Sequence, residues 1–350
     1  MKTVATLALK PGMVVGEDVL SYKNELIISK KTTLDPASIA KLSRYSIMCV
    51  EIMEEKDFAT THFEKIRVSD GFKNFQNVYE KNMNIYKKMI DELIFENKPL
   101  DLPKLYNIYS SIASCAKTGE VLLDYLYNML PTEDDLTYAH CLNSALISGV
   151  FGTWLALSKE DMFAMIYCAF LYDIGKLLVS QDILYKPGKL TDSEFSHIKM
   201  HTIIGYHVIK EQKLDPRIIK ATLQHHERCN GTGYPKGLLE DDIDIFSRLI
   251  SIIDAYEAMT SARTYRQTLI PFQVIANFEQ TADRYSSAML KSILSHIATT
   301  QLGMTVSLSN GMNAQIILIN QNKLSRPLVK CNDTVIDLSK TPEIEIVAIL

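Results

Sequence analysis

The chain has 350 residues, 47% of them hydrophobic, and 41 acidic against 37 basic side chains give it a formal net charge of −4. That length allows two or three domains with a sizeable core. The mild acidity excludes a general polynucleotide binder, which would carry a basic face or stripe, but leaves room for a single nucleotide in a local cationic pocket. The six scattered cysteines (Cys49, Cys115, Cys141, Cys168, Cys229, Cys331) form no CxxC pair and read as reduced thiols rather than a disulfide framework. MKTVATLALKPGM meets a Pro-Gly turn before any long apolar run, so it is a poor secretion signal. The most apolar stretches, 144–158 and 162–172, are interrupted or bounded by Ser, Gly and Asp before reaching the ~20 residues of a membrane span. A cytoplasmic protein without a transmembrane segment is expected.

Residues 1–56 predict a small α+β domain. KPGM is a turn, VLSYKNELIIS reads as two short strands about Lys23-Asn24-Glu25, and DPASIAKLSRYSI reads as a helix with Asp35 as N-cap and Pro36 at its first position. Residues 57–130 form a helical connector, clearest in DGFKNFQNVYEKNMNIYKKMIDELIF, whose mixed pattern suits a partner-facing surface or, preferably, packing within this protein. Residues 131–302 are almost wholly helical and hold every motif with chemical content. From 303 to 350 the pattern turns to strands: TVSLSNGMNAQIILI alternates about Asn310-Gly311, a hairpin signal, and TVIDLS and EIEIVAIL follow. The expected class is mainly α, an all-helical core flanked by an N-terminal α+β domain and a C-terminal β extension. Whether the two β-rich ends pack together is left open.

Four of the eight histidines sit in the helical core in ligand-like contexts. LTYAHCLNSALISGVFG carries His140 near the start of a helix. In AFLYDIGKLLV an apolar helix runs into Asp173 and Lys176, which at i and i+3 share a helix face. LTDSEFSHIKMHTIIGYHVI opens on Thr191 and Glu194, a capping box, and places His201 inside that helix. DPRIIKATLQHHE starts on Asp215 and Pro216 and ends in His225-His226, while RLISIIDAYEAMTSARTYR sets Asp254 on an apolar helix with Arg263 and Arg266 beyond it. Each has a plain structural alternative. A lone histidine on an apolar helix is more often a satisfied core residue, the class given to His197 and His207. Adjacent histidines cannot share a helix face unless the helix ends there, Gly231 to Pro235 can be an ordinary loop, and the arginines can be solvated. Together they carry more: imidazoles and carboxylates suit iron, zinc or manganese, a carboxylate can bridge two metals, and arginines grip phosphate bidentately. That is the layout of a phosphohydrolase.

With its elements in this order (Tyr172-Asp173, IGK, KPGKLTDSEF, the His201 helix, HHERCNGTGYPKGL, DAYEAMTSARTYR), the segment from about 131 to 295 resembles the HD-GYP branch of the HD phosphohydrolase superfamily. LKPGMVVGEDV resembles a small domain often found ahead of it, and the C-terminal β segment resembles a common family extension. The resemblance implies an all-helical HD-type core and a cyclic di-GMP phosphodiesterase with a two- or three-metal centre, often iron. By position, His140, Tyr172, Asp173 and Asp254 would hold one metal. Asp173, His201, His225 and His226 would hold the second, with Asp173 bridging. Asp173 and Lys176 form the catalytic pair, Lys176 near the scissile phosphate. Arg263 and Arg266 would grip phosphates, and Gly233, Tyr234 and Pro235 form the loop of the substrate site.

Three positions depart from the family pattern. Thr264 replaces a common proline. Leu136 stands where three-metal members carry glutamate, so two divalent metals are expected, iron favoured and manganese or zinc as alternatives. Tyr172 replaces the first letter of the HD pair. A tyrosine can ligate iron as phenolate if the metal lowers a pKa near 10, though its oxygen reaches further than an imidazole nitrogen, so the metal or helix would have to move. Otherwise its ring packs or donates a hydrogen bond, leaving His140, Asp173 and Asp254 as three ligands plus water. Two functions follow. One is hydrolysis of cyclic di-GMP by metal-bound hydroxide to pGpG, GMP or both in bacterial second-messenger signalling, with cyclic GMP-AMP a lesser alternative. The other is a degenerate member that binds metal and cyclic dinucleotide as a sensor or scaffold. Expected partners are cyclic di-GMP, signalling proteins met through the GYP loop or flanking domains, and a second copy of the chain, but no nucleic acid polymer.

Overall fold

Residues 1–186, 188–261 and 268–350 are described by a computed structural model of the chain, and they fall into two units, Met1–Asp70 and Gly71–Leu350. The first unit contains β1 (Lys2–Ala5), β2 (Val19–Leu20), β3 (Leu26–Ile28), helix α1 (Pro36–Arg44), β4 (Cys49–Ile52) and two short helices, α2 (Glu55–Phe58) and α3 (His62–Arg67). β1 pairs antiparallel with β4, and β2 with β3 about a turn in which Asn24 takes φ 61°. The Asp35 side chain accepts from the Ser38 N–H, closing α1 where Pro36 starts it. Val15, Leu34, Leu42 and Val50 centre its core.

The second unit is helical until residue 300. Its long helix α4 (Asp70–Glu96) begins on the last residue of the first unit. Phe72, Phe75, Tyr79, Met83, Tyr86, Ile90 and Leu93 recur at three- and four-residue steps, and all are buried, the stripe of an amphipathic helix packed on a core. The segment is thus spent on packing within the protein. Tyr86 donates to the Phe170 carbonyl at 2.5 Å, and Tyr138 donates to Asp91 at 2.5 Å.

Then come α5 (Leu102–Ala113), α6 (Gly119–Tyr127), α7 (Leu136–Trp154) and α8 (Lys159–Leu171). α7 and α8 are apolar around most of their circumference, the pattern of buried helices, and they pack on one another. After the short α9 (Gln181–Leu184), α10 (Asp192–Lys199) and α11 (His201–Ile209) divide the expected single helix at Met200. The Thr191–Glu194 capping box forms as expected. α12 (Pro216–Gln224) and α13 (Ile245–Thr260) lie against α8 and α7 respectively, and α14 (Pro271–Gln280) and α15 (Ser287–Thr300) complete the helical body. Two expectations are corrected. His197 and His207 are exposed, not core residues, because they lie on the outward faces of α10 and α11. Asp173 and Lys176 do not share an α-helix: α8 stops at Leu171 and residues 174–178 form a 3-10 turn, whose three-residue repeat still brings 173 and 176 together.

Strands β5 (Thr305–Leu308), β6 (Asn313–Leu318), β7 (Leu328–Cys331), β8 (Thr334–Asp337) and β9 (Ile346–Ile349) make one antiparallel sheet in the order β8-β7-β6-β5-β9. The β5–β6 hairpin turns at Asn310-Gly311, with Gly311 at φ 84°. The protein is mainly α, and no helix among the described residues is long and apolar enough to cross a membrane.

One close approach positions the centre of this unit. The 3-10 turn crosses α11 at Gly175 and Gly205, where a Cβ on Gly175 would stand 2.0 Å from the His201 carbonyl oxygen and 2.7 Å from the Gly205 nitrogen. Gly175→Ala must push the turn off α11. Overpacking of this kind costs about 2 kcal/mol or more, so a lower denaturant midpoint together with reduced metal content is expected. A midpoint equal to wild type would show that the crossing tolerates a methyl.

Candidate metal centre

Five segments bring their polar side chains to one buried point. α7 supplies His140 with Asn143 and Ser144 on the same side. The chain leaving α8 supplies Tyr172 and Asp173, α11 begins on His201, and α13 carries Asp254 and Glu257. α12 ends at Gln224, which frees His226 from the helical repeat, so both neighbouring histidines turn inward. Two donor groups result, Asp173–His201–His225–His226 and His140–Asp173–Asp254, each with its ligand atoms within 4.8 Å of one another. Asp173 belongs to both.

The donor chemistry fits cations. Asp173 is fully buried, and neither carboxylate oxygen accepts a well-directed hydrogen bond among the described residues. Its near neighbours are Lys176 Nζ at 2.5 Å and His140 Nε2 at 3.3 Å from Oδ2, with His201 Nε2 at 3.3 Å from Oδ1. A buried carboxylate short of donors is rare and calls for an ion. His201 Nδ1 is directed at the Ile198 carbonyl (2.6 Å) and His225 Nδ1 at the Thr222 carbonyl (3.0 Å). Those N–H groups fix the tautomers, so the two Nε2 atoms face each other as lone pairs at 3.2 Å. A cation held between the two Nε2 atoms would turn this repulsion into binding. His226 Nδ1 lies 3.8 Å from Oδ2 of Asp254, a member of the other group.

In the other group, His140 Nε2 lies 3.0 Å from Asp254 Oδ1 and 2.6 Å from the Tyr172 hydroxyl, which is also 3.0 Å from Ser144 Oγ and 3.5 Å from Asp254. Tyr172 is fully buried, yet its oxygen points at the donors, not into the apolar core. Burial first, then Asp254 and Asp173, push its phenol pKa well up, so it stands as a neutral O–H. Burial alone would lower the His140 pKa, but Glu257, with Asp173 and Asp254, holds it well above the usual histidine value. A cation taking Nε2 must displace that proton, so its affinity rises with pH. For Asp173, burial is outweighed by Lys176, His140 and His201, and the carboxyl stays ionised far below the usual range.

Two residues not singled out from the sequence complete the site. Glu257 lies 2.5 Å from His140 Nδ1 and accepts from Asn143; its spacing of three from Asp254 on α13 was the available signal. Glu227, directly after the histidine pair, accepts from the Lys236 and Leu238 N–H groups at 2.7 and 2.9 Å and clamps the 231–238 loop. In that loop Gly233 has no room for a Cβ, which would stand 2.4 Å from Glu227 Cα. The Tyr234 ring lies on His226, 4.6 Å between centroids, with Pro235 following through a cis peptide. Arg263 and Arg266 lie outside the described residues.

Residues 124–289 match the family model described as HD domain, a span that includes every donor above. That segment of the chain is therefore similar to the HD domain. A curated relative in Pseudomonas aeruginosa, named a cyclic di-GMP phosphodiesterase, is 28% identical over 202 residues, covering 57% of this chain and 49% of that protein. The 3'3'-cGAMP-specific phosphodiesterase 1 of Vibrio cholerae is 33% identical over 142 residues, 41% of this chain and 33% of that protein. The chain thus spans less than half the length of either. A solved protein of Bdellovibrio bacteriovorus, titled an HDG"Y"P protein, aligns with 85% of this chain and 99% of its own at 14% identity and a TM-score of 0.49.

Burial lowers the pKa of His201, His226 and His225, the last to about 3. Unfolded, each binds a proton near pH 6.5 that the folded ring refuses, so stability falls as pH drops from 6.5 toward 3. His140, with its raised pKa, acts the other way: its contribution is full below 6.5 and fades only as pH rises through the raised value. Three against one, the chelator-treated protein should lose thermal stability from about pH 7 to about pH 5. A midpoint that holds or rises across that range would contradict the neutral assignment.

Proposed function

We propose that the chain is a metal-dependent phosphodiesterase that hydrolyses cyclic di-GMP to pGpG, GMP or both. The observation that carries this reading is the Asp173 carboxylate standing between two donor groups. The names of the curated relatives supply the substrate class. In this reading two divalent cations bind, iron favoured, the first to His140, Tyr172, Asp173 and Asp254 and the second to Asp173, His201, His225 and His226. When bound, the cations supply Lewis acidity to a phosphodiester oxygen and make a water acidic near neutral pH.

The chain's own residues do the rest. Asp173 stays ionised and bridges. Lys176, whose pKa burial lowers but Asp173 and Asp254 raise above the ordinary lysine value, keeps its positive charge and turns a donor toward a phosphate oxygen. Arg263 and Arg266 grip the phosphates, and Gly233, Tyr234 and Pro235 border the substrate. Protein partners, a second copy included, would meet the GYP loop, the first unit or the C-terminal sheet.

Tyr172 oxygen fits the first cation's shell. His140 Nε2 stands 3.0 Å from Asp254, 3.3 Å from Asp173 and 2.6 Å from the phenol oxygen, so the four groups would hold one cation between them. The competing reading, a non-catalytic binder, is favoured by the same contact, because the Tyr172 oxygen can hold His140 Nε2 in a plain hydrogen bond.

Anaerobically purified protein should hold about two metals per chain and cleave cyclic di-GMP, with cyclic GMP-AMP assayed beside it. Protein that stays metal-free when offered iron and manganese would refute the reading, and metal uptake without cleavage of either dinucleotide would favour the binder. Tyr172→His should raise metal occupancy and rate together, because imidazole ligates at pH 7 without the deprotonation that a phenol requires. Tyr172→Phe should lose one metal and any iron–phenolate absorption. A phenylalanine variant matching wild type in both would remove Tyr172 from the shell.

A further inference from the structure

A hydrogen-bonded chain with no exposed member runs from α4 to the ring of His140. Tyr79 donates its O–H to Asn143 Oδ1 at 2.7 Å, Asn143 Nδ2 donates to Glu257 Oε1 at 2.9 Å, and Glu257 Oε2 faces His140 Nδ1 at 2.5 Å. All four residues are buried. Its direction is forced. An ionised carboxylate only accepts, so the amide nitrogen must face Glu257 and the amide oxygen must face the phenol. By the same rule Nδ1 of His140 carries the hydrogen, which leaves Nε2 aimed at Asp173 and Asp254. Phenylalanine fills equivalent positions of the α4 stripe at 72 and 75, so packing alone does not ask for a hydroxyl at 79.

We propose that Tyr79 is a positioning residue: through Asn143 and Glu257 it sets the tautomer and orientation of His140, so that cation affinity at the His140 group depends on the Tyr79 hydroxyl. This rests on the metal-binding reading above. Without the Tyr79 hydroxyl, the Asn143 carbonyl is left buried without its donor, and the amide that donates to Glu257 is held only from its nitrogen, by Glu257 and Ser261. Because α4 starts at Asp70, where the first unit ends, the helix that carries Tyr79 is also the covalent continuation of that unit.

Tyr79→Phe removes one oxygen and keeps the ring. In anaerobic titrations of the chelator-treated full chain with Mn2+ or Fe2+, it should weaken one site about tenfold, as loss of an outer-shell partner does, and leave the other unchanged. Tyr138→Phe cuts the Asp91 tether between the same two helices outside this chain and should leave both sites as in wild type. In a Glu257→Gln background, Tyr79→Phe should add nothing. Wild-type affinity in Tyr79→Phe, an equal loss in Tyr138→Phe, or additive losses with Glu257→Gln would each overturn the proposal. Wild type that takes up no cation would defeat the metal reading by itself. The coupling is then decided by the downfield NMR resonance of the His140 Nδ1 proton in the cation-free protein: a shift on Tyr79→Phe supports it, and an unmoved resonance overturns it.

Discussion

The helical unit is arranged around one carboxylate that water cannot reach. Removing an ion of that size from solvent costs several kcal/mol unless other charges offset it, and among the described residues Asp173 receives only the Lys176 ammonium and the ring nitrogens of three histidines. Two of those rings have already spent their N–H groups on backbone carbonyls, so they offer lone pairs to a negative group. Such a shell is self-repelling until a cation enters it. The backbone around it follows from that demand: α8 stops short, a 3-10 turn presents Asp173, and the Gly175–Gly205 crossing sets the turn against the start of α11.

The two donor groups differ in readiness. Around His201, His225 and His226, burial keeps the rings neutral, and the loop clamped by Glu227 holds Tyr234 against His226. Nothing there has to be deprotonated. Around His140, three carboxylates (Asp173, Asp254, Glu257) favour a protonated ring, and a neutral phenol shares its Nε2. On the proposed reading, loading that side would exchange a proton for a cation. The buried path from Tyr79 reaches this side only.

Tyr172 is where the chain departs most from the HD pattern, and its surroundings have accommodated it. Ser144, one turn after His140 on α7, stands 3.0 Å from the hydroxyl, and the ring meets His225 edge-on at 4.9 Å. A histidine here would be shorter and would leave the Ser144 side unfilled. The tyrosine oxygen is therefore held between Ser144 and His140, beside the donor group.

Local chemistry wrote much of this protein into its sequence. Asp35, Thr191 and Asp215 cap the helices that follow them, Asn310-Gly311 turns its hairpin, and α7 and α8 are too apolar to lie anywhere but inside. Such effects act within a few residues, so they are readable in order along the chain. The residues His140, Asp173, His201, His225, His226 and Asp254 were also legible, because ionisable groups on apolar helices need a reason to be there. Only tertiary structure decided what they face. Glu257 meets His140 across 117 residues of sequence, and Tyr79 meets Asn143 across 64; no periodicity encodes such pairings. Helical spacing likewise left open whether His225 and His226 could turn the same way, since that depends on the helix ending at Gln224. It also put His197 and His207 in a core that they do not enter. Whether a polar side chain on a helix is a ligand, a support or a surface group depends on which other helix covers it, and that is settled by packing between segments far apart in sequence.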